Sequence, residues 1–270
     1  MRRHLSGLWS MLSGLAFPLG GRWIGQLKCL RNEERLEQGY VLVLPGIEGK
    51  STLNFNISLG LIDGGIPSAI EIHDWTTGFW PFCIYHLRSS RARREAKIIA
   101  QKILDYQSDY PNRPTFLVGH SGGAGVVVHV LESLPQDRKV TGAVLLGPAI
   151  SRSYDLSQAL GRTECGIWNF YSPLDLLFLT GCTLLFGTAD GRHAVAAGAW
   201  GFCTPAHLSP EKLGLYTARL HQVRYRATMA SRWHFGGHFG WANRLFVADW
   251  LCAGKLKQWP HSASMGKRTG

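Results

Sequence analysis

Apolar runs and segments of helical periodicity alternate along most of this chain. Continuous apolar runs that end at turn residues predict strands at 40–44, 68–73, 114–119, 140–146, 166–171 and 222–227. Helical spacing predicts helices at 52–61, 88–110, 122–134 and about 241–253. This alternation is typical of parallel strands joined by crossover helices, and the sequence shows neither an internal repeat nor a second domain.

The most informative turn lies between the third predicted strand and the helix that follows it. It reads Leu-Val-Gly-His-Ser-Gly-Gly over 117–123, a G-x-S-x-G pattern with Gly119, Ser121 and Gly123 in the fixed places. Between a strand and a helix, this pattern predicts a nucleophile elbow, in which small neighbours permit a strained turn that presents the serine hydroxyl. A structural glycine-rich turn with an idle serine is the alternative.

A nucleophilic serine needs a base, and the base needs an acid that orients it. After an elbow these partners follow in the order acid, then histidine. Asp175 and His238 each follow a predicted strand, so we predict Ser121 as the nucleophile, His238 as the base and Asp175 as the acid. Three alternatives stay open: Asp175 as the N-cap of the next helix, Asp190 as a rival acid and His234 as a rival base.

The oxyanion that forms during acyl transfer needs at least two fixed donors. The amide of Gly122 is one by position, because this residue follows the nucleophile, and we predict the amide of Ile47 as the second. Ile47 lies in the Pro-Gly-Ile-Glu-Gly loop after the first strand, where an ordinary turn at 45–46 is the alternative.

Residues 73–74, at another strand end, either line the pocket or form hydrogen bonds within their loop. His120 is expected to pack the elbow or shape the pocket.

Composition and charge narrow the class of protein and of partner. A chain of 270 residues with 45% hydrophobic and 17% charged residues fits one globular domain. Its net charge of +11 favours anionic partners, either lipid headgroups or acidic substrates, and no nucleic-acid-binding motif accompanies it. The six cysteines show no metal-ligand spacing, so we predict no metal and no cofactor. Much of the positive charge lies on one helix and in the tail: Arg88, Arg91, Arg93, Arg94, Lys97, Lys255, Lys257, Lys267 and Arg268.

The chain is predicted to have three parts. Residues 1–38 form a lead-in, which is either a signal or membrane-associated segment or an amphipathic stretch that packs on the domain. Residues 39–254 form the α/β domain, and 255–270 form a basic flexible tail. The apolar run in the lead-in is short and interrupted, and it predicts no membrane span. Localisation therefore stays open between cytoplasmic and, if residues 1–20 act as a signal, exported or membrane-associated.

Four segments together carry a resemblance to a known family: Leu-Pro-Gly-Ile at 44–47, Gly-His-Ser-Gly-Gly at 119–123, Asp175, and Gly-Gly-His-Phe-Gly around His238. They resemble the α/β-hydrolases over about residues 40–254. The resemblance implies a doubly wound, mostly parallel sheet and cleavage of an ester or amide through an acyl-enzyme. Many relatives insert a helical cap where this chain has only 151–165, so little or no cap is expected, and any lid would come from 176–220.

Our leading hypothesis is a serine hydrolase that cleaves a carboxylic ester, with lipase or esterase action ahead of amidase. The expected partner is a small-molecule or lipid-like ester, and the basic charge suggests association with a membrane surface. A non-catalytic relative that serves as a binding or membrane-associated module is one alternative. An acyltransferase that uses the same triad is another. The acyl chain and the oligomeric state are not determined by the sequence.

Overall fold

The structure, a computed structural model, describes residues 2–15, 30–76 and 90–252 of the chain. Within these residues the strands are β1 (Tyr40–Leu44), β2 (Ala69–Ile72), β3 (Thr115–His120), β4 (Gly142–Leu146), β5 (Ile167–Tyr171) and β6 (Leu220–Arg224). The α-helices are α1 (Arg2–Leu15), α2 (Glu33–Leu36), α3 (Thr52–Asp63), α4 (Ser90–Asp109), α5 (Gly122–Ser133), α6 (Ser157–Gly161), α7 (Thr183–Phe186), α8 (Ala197–Trp200), α9 (Pro210–Arg219) and α10 (Arg244–Phe246). Two π-helices, Leu177–Cys182 and Val247–Cys252, and two 3₁₀-helices, Ala227–Arg232 and His238–Ala242, complete the described elements.

All six strands belong to one parallel sheet with the order β2-β1-β3-β4-β5-β6. The pairs Leu44–Gly119 and Tyr171–Arg224 keep the carboxyl ends of the strands level at one edge. The strand order reverses between β1 and β3, and sites in open α/β sheets form outside such a switch point. The predicted α/β class, with a doubly wound parallel sheet, is confirmed.

Alternate side chains of β1 enter two separate apolar cores. Leu42 and Leu44 pack in the core that contains the buried sides of α4 and α5. Val41 and Val43 pack in the other, with α3 and the C-terminal helical turns. Successive strand residues point to opposite faces, so helices cover the sheet on both sides. This is why β1, β3 and β4 are buried at every position rather than at alternate ones.

The last strand differs from its predicted range. It spans Leu220–Arg224 rather than 222–227, and the chain continues into the 3₁₀-helix at 227–232. β6 lies at the edge of the sheet and most of its side chains are partly exposed, so it lacks the continuous apolar run that marks a buried strand.

The helical segments that flank residues 220–237 also differ from prediction. Instead of one helix at 241–253 there are three short turns, and Asn243 caps the middle one by accepting a hydrogen bond from Leu245 N. Helix α9 lies outside the predicted elements, although Ser209 as N-cap and Pro210 at the first position are ordinary start signals.

Helix α1 of the lead-in packs on the domain. Asn243 Nδ2 donates to Gly7 O at 2.9 Å, and Thr52 Oγ1 donates to Ser13 O at 3.0 Å. The described part of the lead-in is therefore tied to α3 and to the turn that precedes α10.

The predicted domain limits at 38/39 and 254/255 stay a prediction. Residues 16–29, Arg88 and the tail 255–270 lie outside the described residues. Among the helices that the structure describes, none is long and apolar enough to span a bilayer.

Gly123 lies at the closest contact between α5 and β1. A Cβ there would lie 2.2 Å from Pro45 O and 2.4 Å from Leu44 O. Since both are backbone atoms, Gly123→Ala should force the helix from the strand and lower the free energy of unfolding by about 3 kcal/mol or more. Gly214→Ala in α9 is the control, because nothing lies within 4 Å of its Cβ position. It should be neutral or stabilising by up to about 1 kcal/mol. Denaturant titration checks both, and equal stabilities would contradict this packing.

Candidate active site

Ser121 lies between β3 and α5 in a backbone conformation that residues with a Cβ rarely adopt. Its φ is 54° and its ψ is −120°. Ser121 N donates to Leu146 O at 3.0 Å, and Ser121 O accepts from Ala149 N at 3.0 Å. A Cβ at Gly119 would lie 2.5 Å from Ala124 Cα, so a larger residue would not fit there. This strained strand–turn–helix geometry is the one expected of a nucleophile elbow.

Asp175 lies in the loop after β5, His238 begins the second 3₁₀-helix after β6, and the two meet as a buried pair. His238 Nδ1 donates to Asp175 Oδ2 at 2.6 Å. The side chain of His238 is 5% exposed and that of Asp175 is 1% exposed. A bond this short between imidazole and carboxylate is charge-assisted, and it fixes the proton on Nδ1. The second ring nitrogen, Nε2, is thereby left to exchange a proton with another group.

His120 links this pair to the elbow. Its ring centroid lies 4.9 Å from that of His238, and its Nε2 lies 3.3 Å from His238 O. His120 therefore packs against His238. Within the described residues no hydrogen bond joins Ser121 Oγ to His238, and catalytic hydrogen bonds in unliganded enzymes often tighten only when substrate binds. Phe178 stacks on the His238 ring at 4.8 Å, a contact for which the sequence pattern has no signal.

The two acidic residues that were candidates for the acid, Asp175 and Asp190, make different contacts. Asp190 accepts from Ser151 N at 2.9 Å and from Thr188 Oγ1 at 2.6 Å, so it closes its own loop. Asp175 directly precedes the helix that follows β5, but no side-chain cap is formed there, and its carboxylate accepts from His238 Nδ1 instead. Of the two carboxylates, Asp175 is the one that reaches a histidine.

His234 lies in an aromatic cluster and does not face the acid. It is fully buried, 4.0 Å from Trp241 and 4.9 Å from Phe246 between ring centroids, and its Nδ1 accepts from Gly236 N at 3.2 Å. Burial lowers the pKa of His234 to about 3, because the charged imidazole has no water or carboxylate to stabilise it. The structure therefore favours His238 over His234 as the base.

The loop after β1 approaches the elbow closely and is fixed by side chains. A Cβ at Gly46 would lie 3.1 Å from Ser121 Cβ. Trp75 Nε1 donates to Pro45 O at 2.7 Å, and Gly46 N donates to Glu48 Oε1 at 3.2 Å. Sequence reasoning missed the roles of Trp75 and Glu48, because these contacts depend on the tertiary arrangement of the loop.

Ile47 and Gly122 keep their amides available. Within the described residues, neither amide donates a hydrogen bond. The amide of Gly122 is one of the first amides of α5, and such amides have no partner within the helix. Their use as oxyanion donors stays a prediction. Asp74 Oδ2 accepts from Lys50 N at 3.0 Å, so it bonds between neighbouring loops.

A cavity of about 180 Å³ opens beside His238. Ser10, Met11 and Gly14 of α1 form one wall, and Trp233 and Phe235 contribute to another. Most of the lining is apolar, and no Asp or Glu is part of it, which suits an uncharged, apolar portion of a ligand. The sequence allows the lead-in to pack on the domain, but it gives no signal that α1 lines a cavity. In the part of the chain that the structure describes, no cluster of His, Cys, Asp or Glu is arranged to hold a metal ion.

Comparison with known proteins supports a hydrolase. The family model described as serine aminopeptidase, S33, matches residues 96–167, which include β3, the elbow and β4. A search of curated proteins finds no match. The family match covers the turn at Ser121 itself, within a parallel sheet that has helices on both faces, and it agrees with the resemblance to the α/β-hydrolases that the motifs carry.

Several solved structures share parts of this fold at low identity. Esterase PE8 is 13% identical over 74% of this chain and 85% of that one, with a TM-score of 0.42. An esterase from Pyrobaculum calidifontis is 13% identical over 83% and 76%, with a TM-score of 0.41. YbtT, a type II thioesterase from the yersiniabactin biosynthetic pathway, is 17% identical over 83% and 91%, with a TM-score of 0.37. Likenesses at these TM-scores do not indicate the reaction or the substrate of this protein.

The buried state of His234 makes the stability of the protein depend on pH. The folded-state pKa is about 3 against an ordinary value of 6.5. Between these values the unfolded chain binds one more proton, so this contribution to stability is complete above pH 6.5 and falls as the pH drops toward 3. The slope from this residue is at most about 1.4 kcal/mol per pH unit.

His234→Phe should reduce that slope, whatever its effect on stability at neutral pH. Urea titrations of the wild type and the variant at a series of pH values between 4 and 8 measure it. Parallel stability curves down to pH 4 would contradict a buried neutral His234.

Proposed function

We propose that this protein is a serine hydrolase that cleaves a carboxylic ester through an acyl-enzyme on Ser121. The observation that carries the proposal is the positive-φ serine at the switch point of the sheet, whose neighbour His120 packs against the buried Asp175–His238 pair. Both features have an energetic penalty, since a strained serine and a buried ion pair destabilise a fold unless the surroundings compensate. A non-catalytic module would have no use for the two together.

The roles follow from the geometry. Ser121 Oγ attacks the ester carbonyl while His238 Nε2 takes its proton, and Asp175 holds the imidazole tautomer and stabilises its charged form. The amides of Gly122 and Ile47 donate to the oxyanion of the tetrahedral intermediate. His238 then returns the proton to the leaving alcohol. Water, deprotonated by the same nitrogen, attacks the acyl-enzyme, and His238 returns that proton to Ser121 Oγ as the bond to the acyl group breaks and the acid leaves.

The cavity favours an ester with an apolar acyl or alkyl group. An aminopeptidase must bind a charged α-ammonium group, and a buried ammonium needs a carboxylate partner. The residues that line the cavity include no Asp or Glu, whereas Met11, Trp233, Phe235 and Phe239 offer apolar contacts. An apolar ester is therefore the substrate class that the lining supports best.

The first test is covalent labelling with a fluorophosphonate, which reacts with activated serines. Wild-type protein should be labelled, and Ser121→Ala should not. Ser157→Ala is the matched control, because Ser157 is buried to a similar extent but its hydroxyl bonds to Asp155 at 2.5 Å. Equal labelling of wild type and Ser121→Ala, read by intact mass, would refute Ser121 as the nucleophile.

The second test separates the two acids. Asp175→Asn should keep the fold and lower kcat on a p-nitrophenyl ester by about 10⁴-fold, because the amide favours the wrong imidazole tautomer. Asp190→Asn makes the same chemical change at a residue that only closes a loop. It should retain kcat within about threefold when folded protein is compared, on the scale of change expected away from the reacting groups. The reverse ranking would move the acid to Asp190.

A further inference from the structure

Helix α1 packs with its small residues inward and its large apolar residues outward. Gly7, Ser10 and Gly14 are buried against the domain. Leu5, Trp9 and Leu12, at spacings of four and three, are 57%, 72% and 48% exposed. An amphipathic helix of a water-soluble domain normally buries its large apolar side chains, so this arrangement is inverted. The exposed stripe runs along the helix whose other face lines the cavity beside His238.

Two further segments present apolar side chains around the same cavity. Together with α1, residues 174–186 and 233–240 are called the rim segments here. The segment 233–240 lines the cavity, and 174–186 contributes Phe178, which stacks on His238. The two segments touch each other, since a Cβ at Gly236 would lie 2.6 Å from Leu174 Cδ1. Two of the rim segments therefore line the cavity beside His238, and the third contacts His238 and Gly236 of that lining region.

The exposed large apolar side chains of the described residues are concentrated on the rim segments. Thirteen such residues are exposed, and all but Ile98, Trp200 and Leu213 lie on these three segments. Single exposed apolar residues are ordinary, but a cluster of this kind marks an interaction surface.

The charge around the rim segments is positive. The sequence has no Asp or Glu before Glu33, none between 176 and 189 and none between 212 and 248. The last of these ranges carries six cations, of which Lys212, Arg224 and Arg226 are exposed, whereas Arg232 and Arg244 pair with Asp249 and Asp63. Arg224 and Arg226 flank Tyr225, whose ring would lie 3.2 Å from a Cβ at Gly236 in the rim segment 233–240. Apolar residues that insert and cations beside them match a bilayer with anionic headgroups, to which both contribute binding energy.

We infer that the rim segments dock on an anionic lipid surface. Leu5, Trp9 and Leu12 insert below the headgroups. The exposed arginines Arg224 and Arg226 bind the lipid phosphates. Docking brings the cavity mouth to the interface, so an apolar ester enters from the lipid without crossing water. The docking itself needs no catalysis and is therefore tested separately from the proposed hydrolysis.

Vesicle co-sedimentation in the Ser121→Ala background tests the inference. The protein should sediment with vesicles of phosphatidylcholine and phosphatidylglycerol, less with phosphatidylcholine alone, and less as salt is raised. Leu5→Ser with Leu12→Ser should lower the partition coefficient by about tenfold or more. Leu176→Ser with Leu177→Ser should lower it as well, because the second rim segment is part of the same surface.

The matched control is Ile98→Ser with Leu213→Ser, which removes two equally exposed apolar side chains away from the rim segments. It should bind vesicles like the parent. Absence of vesicle binding, or equal losses in the Leu5/Leu12 variant and the control, would overturn the inference. So would a dimer, seen by analytical ultracentrifugation, that the Leu5/Leu12 variant dissociates while vesicle binding is unchanged, because the stripe would then bind a second copy of the chain.

Discussion

The backbone of Ser121 is the constraint on which the site depends. Its positive φ turns the chain sharply between β3 and α5, and such a conformation persists only where the surroundings enforce it. Close backbone packing holds Ser121 in this conformation, since Gly119 and Gly123 lie where any Cβ would contact main-chain atoms. Because α5 begins directly at the turn, the amide of Gly122 lies next to the serine. One local conformation thus positions both the hydroxyl and a donor.

The parallel sheet brings the other groups to the same edge. Register keeps the carboxyl ends of the strands level, so loops far apart in sequence meet above β3. Asp175 and His238, 63 positions apart, form their hydrogen bond there. The aromatic rings of His120 and Phe178 pack on His238 and limit its rotation. The orientation of the proposed base is therefore a consequence of strand order and packing together.

Sequence reasoning predicted the parallel sheet, a sharp turn at Ser121 and the proximity of Asp175 and His238, because each has a local signature in apolar runs, glycines and strand ends. The catalytic roles of these residues stay a prediction. It placed β6 and the last helix poorly, since an edge strand and short capped turns have weak periodicity. It also missed Trp75, Glu48 and Phe178, whose contacts exist only in the folded chain. Nothing in the pattern indicates that α1 forms a wall of the cavity, since its inner face is built from small residues.

The measurement that tests the central claim most directly is peptide mapping by mass spectrometry after acid quenching during turnover of a p-nitrophenyl acyl ester. The account predicts that the peptide containing Ser121 gains the mass of one acyl group in place of a proton. It also predicts that the modified peptide disappears once the ester is consumed. An acyl group found on a different residue, or ester turnover with an unmodified Ser121 throughout, would contradict the account.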